Sequence, residues 1–127
     1  MDLGRQWNER LRIWTEYLPR LFFTECGMCS AKYFTTMEHL LFEEASRHIM
    51  ENAPEGMEWG KKWEYAWFSF SIKIPESLTG KYIVLKPDTG AESLIFVNGK
   101  ASGAFDKEHD FITLSRSAKA GDVFNIM

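Results

Sequence analysis

The chain has 127 residues, of which 45% are hydrophobic, 15% aromatic and 26% charged, with a net charge of −3. This is one domain's worth of core, too apolar for a disordered tail and too interrupted by charge for a membrane protein. No Lys/Arg cluster forms the basic stripe of a nucleic-acid binder, so nucleic acid is excluded as a partner.

The N-terminus carries Asp2, Arg5, Glu9 and Arg10 where a secretory leader needs an apolar run, and the longest apolar stretch, 65–70, is far too short to span a bilayer. No membrane partner and a cytoplasmic location are therefore expected. Two cysteines, Cys26 and Cys29, agree with a reducing compartment. Trp7, Leu11, Trp14 and Leu18 fall on one face of a first helix, which Pro19 should stop or kink. A second helix is expected from Thr36 to Met50, with Met37, Leu40, Leu41, Ala45, His48 and Ile49 on one side and Thr36 as its cap. The stretch 52–56, around Pro54 and Gly56, breaks that pattern. The reading divides the chain there: a helical segment over 1–53 that packs on a sheet, and a β-sandwich over 54–127.

After Trp67 the period becomes two. Phe68, Phe70, Ile72 and Ile74 alternate with Ser69, Ser71 and Lys73, giving a strand with one apolar and one wet face. Short strands follow at 82–85, 94–97, 111–114 and 123–127, and Asn98-Gly99 suits a tight hairpin because both residues accept positive φ. Such spacing predicts an antiparallel β-sandwich or jelly roll. Residues 121–127 read as a core strand, and the chain is expected to be a piece of a longer polypeptide.

Candidate chemistry is sparse. Cys26 and Cys29 have the spacing of a zinc half-site or redox pair, but no second pair accompanies them, so ordinary thiols are expected. His39 with Glu43 and Glu44 with His48 are i, i+4 pairs, read as solvated pairs rather than metal ligands. Trp59, Trp63, Tyr65, Trp67 and Phe68 form the densest aromatic cluster. They are either core or a platform on which sugar rings stack. Asp106, Glu108, His109 and Asp110 offer an acid/base set, with a hairpin tie-down as the plainer reading. No phosphate loop or nucleophile elbow occurs.

Several motifs in order resemble the N-terminal β-domain of glycoside hydrolase family 38 α-mannosidases. They are Trp59-Gly60, Ala66-Trp67-Phe68, Ile74-Pro75-Glu76, Val84-Leu85, the stretch 88–92, Phe96-Val97-Asn98-Gly99-Lys100, the stretch 103–109 and Ala120-Gly121-Asp122. The chain departs from the family at Ala91, where a Gly is usual, and at Lys107-Glu108, where Arg-Asn is usual. The resemblance implies a galactose-binding-like jelly roll that is itself non-catalytic and holds no cofactor. Its parent would be a retaining α-mannosidase whose divalent metal, such as zinc, sits in a catalytic domain that follows. That catalytic domain would be the main partner, and an isolated piece would self-associate. The alternative is an autonomous carbohydrate-binding module for mannosides. Trp59, Trp63, Glu92, Asp106 and His109 are the candidate sugar or domain-interface contacts, and no catalytic or metal residue is assigned.

Overall fold

In the computed structural model residues 3–127 are described, with side chains throughout except at 17–22. A first helix, α1 (Leu3–Phe22), precedes strand β1 (Ala31–Thr36), a single helical turn α2 (Phe42–Ala45) and strand β2 (Glu51–Ala53). Then come β3 (Tyr65–Lys73), β4 (Ile83–Leu85), β5 (Ser93–Val97), β6 (Lys100–Phe105), β7 (Ile112–Ser115) and β8 (Val123–Ile126). Six strands form one sheet in the order β2-β1-β3-β8-β5-β6, and β4 pairs with β7 in a two-stranded sheet. All pairings are antiparallel. The sandwich class read from the period-two pattern is the class observed.

The core lies on the apolar face of β3. Ile74 is 2% exposed and packs with Ile83 and Ala118, while Ile95, Phe105 and Ile126 form a second buried group. Ile72, Leu114 and Phe124 pack against both, and Phe70 against the second. Because β-strand side chains alternate, Ser69, Ser71 and Lys73 fall on the other face. There Ser71 Oγ donates to Asn125 Oδ1 at 2.7 Å. The Asn98-Gly99 hairpin joins β5 to β6 with φ of 50° and 78°, as a mirror-image tight turn requires.

The first half differs from its sequence reading. No helix runs from Thr36 to Met50: residues 31–36 and 51–53 are strands of the large sheet, so a boundary at Pro54 would cut through it. The reason is pairing. Tyr33, Phe34 and the β-branched Thr35 and Thr36 stand opposite Phe68, Trp67, Ala66 and Tyr65, and this contact buries Phe34. The intervening stretch wraps over the back of the sheet. Ala45 is fully buried and Phe42 stacks on Phe96 at 4.7 Å, whereas Met37, Leu41 and Ile49, expected on a buried face, are exposed. Glu44 accepts the Leu41 N–H at 2.8 Å and so closes the one turn that does form.

Helix α1 also departs from expectation. It runs past Pro19 to Phe22 rather than ending there, and its apolar stripe does not pack on the sheet: Leu3, Trp7, Leu11 and Trp14 are each about three-fifths exposed. Leu18 lies outside the described side chains. On the polar side Arg12 bridges Glu9 at 2.8 Å and Glu16 at 2.7 Å, exposed pairs that water and salt screen.

This distribution of burial predicts unequal costs of truncation. Ile74→Ala should lower unfolding free energy by about 3 kcal/mol, and Val123→Ala, on the exposed face of β8, by less than about 0.5 kcal/mol. Urea denaturation monitored by tryptophan fluorescence checks both.

Candidate functional site

Strands β3 and β5 are both antiparallel to β8 and therefore run the same way. Their starts lie at one end of the sheet, together with the end of β6, since Ser93 stands opposite Phe105. The turn before β3, the turn before β5 and the loop after β6 thus share that end. Sheet topology places Trp59, Trp63, Glu92, Asp106 and His109 in three separate loops at the same end of the sheet.

A surface cleft of about 580 Å³ opens there between the 57–61 stretch with Glu64 and the 89–91 turn. Trp59 forms part of its wall. The indole Nε1–H donates to the Thr89 carbonyl at 3.0 Å, tying the two loops together, and the ring meets Phe68 edge-on at 6.0 Å. Glu64 Oε2 accepts the N–H groups of Gly60 at 3.0 Å and Lys61 at 2.9 Å, while its own N–H donates to the Lys61 carbonyl at 2.9 Å. Those backbone donors, Lys61 first, hold the Glu64 carboxyl below the usual carboxylate range. The clamp presents Trp63 at the tip of the turn with φ of +65°, a conformation unusual for a bulky residue, and 79% exposed. The Lys62 ammonium stands 5.8 Å from its ring centroid. Glu92 is exposed, one residue beyond the cleft edge at Ala91.

The aromatic cluster is not one assembly. Trp59 and Phe68 share the core side of the sheet with Tyr33, whose ring stacks on Phe68 at 6.1 Å. Trp67 faces the back and packs on Phe96 at 6.0 Å. Tyr65 stacks on His39, and Trp63 stands apart from all of them.

Asp106 and His109 do meet, but in a closed turn. Asp106 Oδ1 accepts the N–H groups of Glu108 at 2.8 Å and His109 at 2.6 Å, and both carboxylate oxygens lie 3.1 Å from His109 Nδ1. The His109 backbone N–H, then its ring, holds the Asp106 carboxyl below its ordinary range. Asp110 is paired with Lys86 at 2.9 Å. These acids tie down the loop after β6.

Cys26 and Cys29 are free and exposed, and burial, followed by the neighbouring Cys26, pushes the Cys29 thiol up. The i, i+4 pairs expected on a second helix are dispersed: Glu44 caps a turn and His48 stacks on Phe34 at 4.3 Å. Among the described residues no group of three His, Cys, Asp or Glu side chains converges to hold a metal ion, and no helix is long and apolar enough to cross a membrane. The roles of Glu64 and of the Thr89 carbonyl are not legible in the sequence, since neither a lone carboxylate nor a backbone carbonyl acceptor carries a local signature.

Residues 29–127 match the family model described as "Alpha-mannosidase, jelly roll domain". The chain is 24% identical over 115 residues to alpha-mannosidase 2C1 of Homo sapiens, covering 82% of this chain and 11% of that protein. It is 25% identical over 130 residues to alpha-mannosidase 2C1 of Mus musculus, covering 93% of this chain and 12% of the relative. No solved structure matches it significantly. The chain thus spans about an eighth of the length of the curated relatives it matches. With the two-sheet antiparallel architecture and a family match running from just before β1 to the end of β8, the chain belongs to the α-mannosidase jelly roll domain family.

Proposed function

We propose that this chain is the non-catalytic N-terminal jelly roll of a longer α-mannosidase and serves as a docking scaffold for the hydrolytic part of that enzyme. The observation that carries the reading is the uncovered face of α1. Leu3, Trp7, Leu11 and Trp14 leave two indoles and two leucines in water on a helix that the jelly roll does not need for its own core. Apolar surface of this kind marks an interaction site. Covering it gains on the order of 25 cal/mol for each Å² removed from water. The match to mouse alpha-mannosidase 2C1 covers 93% of the chain, more than the jelly roll alone.

The acid/base residues support a non-catalytic role, because Asp106 is consumed by its own turn and His109 projects into solvent. A divalent metal such as zinc, and a retaining mechanism, belong in this reading to the rest of the enzyme. Among the described residues no ligand set for a metal converges, and no chemical step is assigned to this chain.

A second reading has a specific observation in its favour. The cleft beside Trp59, with the rigidly presented Trp63 at its margin, combines aromatic surface with Glu64, Lys61 and Thr89. A mannoside could lay its C–H face on an indole and turn its hydroxyls toward the polar rim.

Two measurements separate these readings. On the scaffold reading the isolated chain binds a hydrophobic dye and sediments faster than a monomer. Trp7→Gln with Trp14→Gln should remove roughly half or more of the dye signal and restore the monomer. Calorimetric titration with mannose and mannobiose should give no heat; millimolar binding abolished by Trp63→Ala would instead establish the carbohydrate module.

A further inference from the structure

Cys26 and Cys29 are used neither by the core nor by the cleft. They lie in the strap 23–30, which joins the end of α1 to the start of β1. The strap is anchored at both ends. The Phe23 ring packs on Phe111 with centroids 4.9 Å apart, and Ala31 opens β1 in register with Ala53. Between these anchors the chain is neither helix nor strand, and among the described residues no hydrogen bond fixes 26–29. Both thiols are free and exposed. Gly27 stands between them with nothing within 4 Å of the place where a side chain would begin. The Cys29 thiol is pushed up by burial first and by Cys26 second, so the two sulfurs are close enough to interact.

We propose that Cys26 and Cys29 form a redox-modification site: a dithiol that a low-molecular-weight disulfide of the glutathione class converts to an intrachain disulfide, clipping the strap between α1 and the jelly roll. The Cys26 thiolate attacks one sulfur of the small disulfide, whose S–S bond breaks and releases one thiolate. Cys29 then gives its proton to water and attacks the Cys26 sulfur of the mixed disulfide, expelling the second small thiol. Two protein thiols are oxidised to one disulfide, and the small disulfide is reduced to two thiols.

The strap can accommodate this closure. Residues three apart are separated by no more than about 11 Å when extended, and a disulfide requires Cα atoms about 4.4–6.8 Å apart. Reaching that distance turns only the backbone of 26–29, which no hydrogen bond holds, and Gly27 supplies the freedom for the turn. Closure fixes the direction in which the chain leads from Phe23 to β1. The pair straddles residue 29, where the family match begins, so it governs how the preceding helix is attached to the domain. No helix begins at the pair: α1 ends before it and β1 follows. The helix N-terminus that makes a catalytic dithiol fast is therefore missing, and the site is a responsive clip rather than an oxidoreductase. Such a dithiol stays reduced in a thiol-rich compartment and closes when the thiol pool is oxidised.

The 127-residue chain, equilibrated in glutathione buffers from reduced to oxidised, alkylated and weighed by intact mass spectrometry, tests the proposal. In oxidised buffer the chain should lose two hydrogens, take up no alkyl group and carry no glutathione, and dithiothreitol should restore both alkylation sites. Alkyl incorporation should fall at least about tenfold across the series. Cys29→Ser, which lacks the resolving thiol, should stop at a mixed disulfide on Cys26. Two alkylatable thiols throughout, two glutathione adducts on one chain, or a disulfide-linked dimer would each overturn the clip. An unmodified Cys26 in Cys29→Ser would overturn its role as the attacking thiol. None of these outcomes depends on a catalytic domain, so the scaffold reading stands or falls separately.

Discussion

The structure depends on the pairing of β3 with β8. These strands are about fifty residues apart in the chain, and between them they join β2-β1-β3 to β5-β6 in a single sheet. The seam is reinforced from both ends. Ile74 N–H donates to the Asp122 carbonyl at 2.8 Å and Gly121 N–H returns to the Ile74 carbonyl at 2.9 Å. At the other end Asn98 N–H donates to the Asn125 carbonyl at 2.8 Å, and Asn98 Oδ1 accepts the Asn125 N–H at 2.9 Å. Phe70, Ile72, Phe124 and Ile126 share the core face of the seam, so hydrogen bonding and burial coincide there. A long-range closure of this kind is slow to form and cooperative once formed.

That seam also decides where the loops go. By making β3 and β5 run parallel to each other, it gathers three loops at one end, and the positions of the cleft and the Asp106 turn are both consequences. Function in this reading comes from what the sheet leaves over: an end with displayed aromatics, and a helix whose apolar side the sheet does not cover.

The β half was legible because its signals are local. The alternation from Phe68 to Ile74 needs no partner to be read, and it correctly places Ile74 inside and Lys73 outside. Asn98-Gly99 announced a hairpin whose second strand, β6, is otherwise silent, because Ala101, Ser102, Gly103 and Ala104 carry no hydrophobic period. Residues 31–53 were misread because helical spacing in Met37, Leu40, Leu41 and Ala45 is also local, whereas the partner that makes β1 a strand lies thirty residues downstream. Of the candidate site, the residue types were legible but their convergence was not. The positive φ of Trp63 depends on Glu64 capturing two backbone N–H groups, an arrangement that no spacing rule encodes. The Asp106–His109 loop settled on its plainer reading, as a turn held by its own carboxylate.

The central claim is that the jelly roll stands on its β3–β8 seam and that α1 belongs energetically to something else. Thermal unfolding of the chain with residues 1–22 deleted tests it most directly. The account predicts one cooperative transition within about 2 °C of the intact chain, since none of the described side chains of α1 belongs to either core group. A fall of more than about 5 °C, or loss of cooperativity, would mean that α1 is part of this domain's own core and would contradict it.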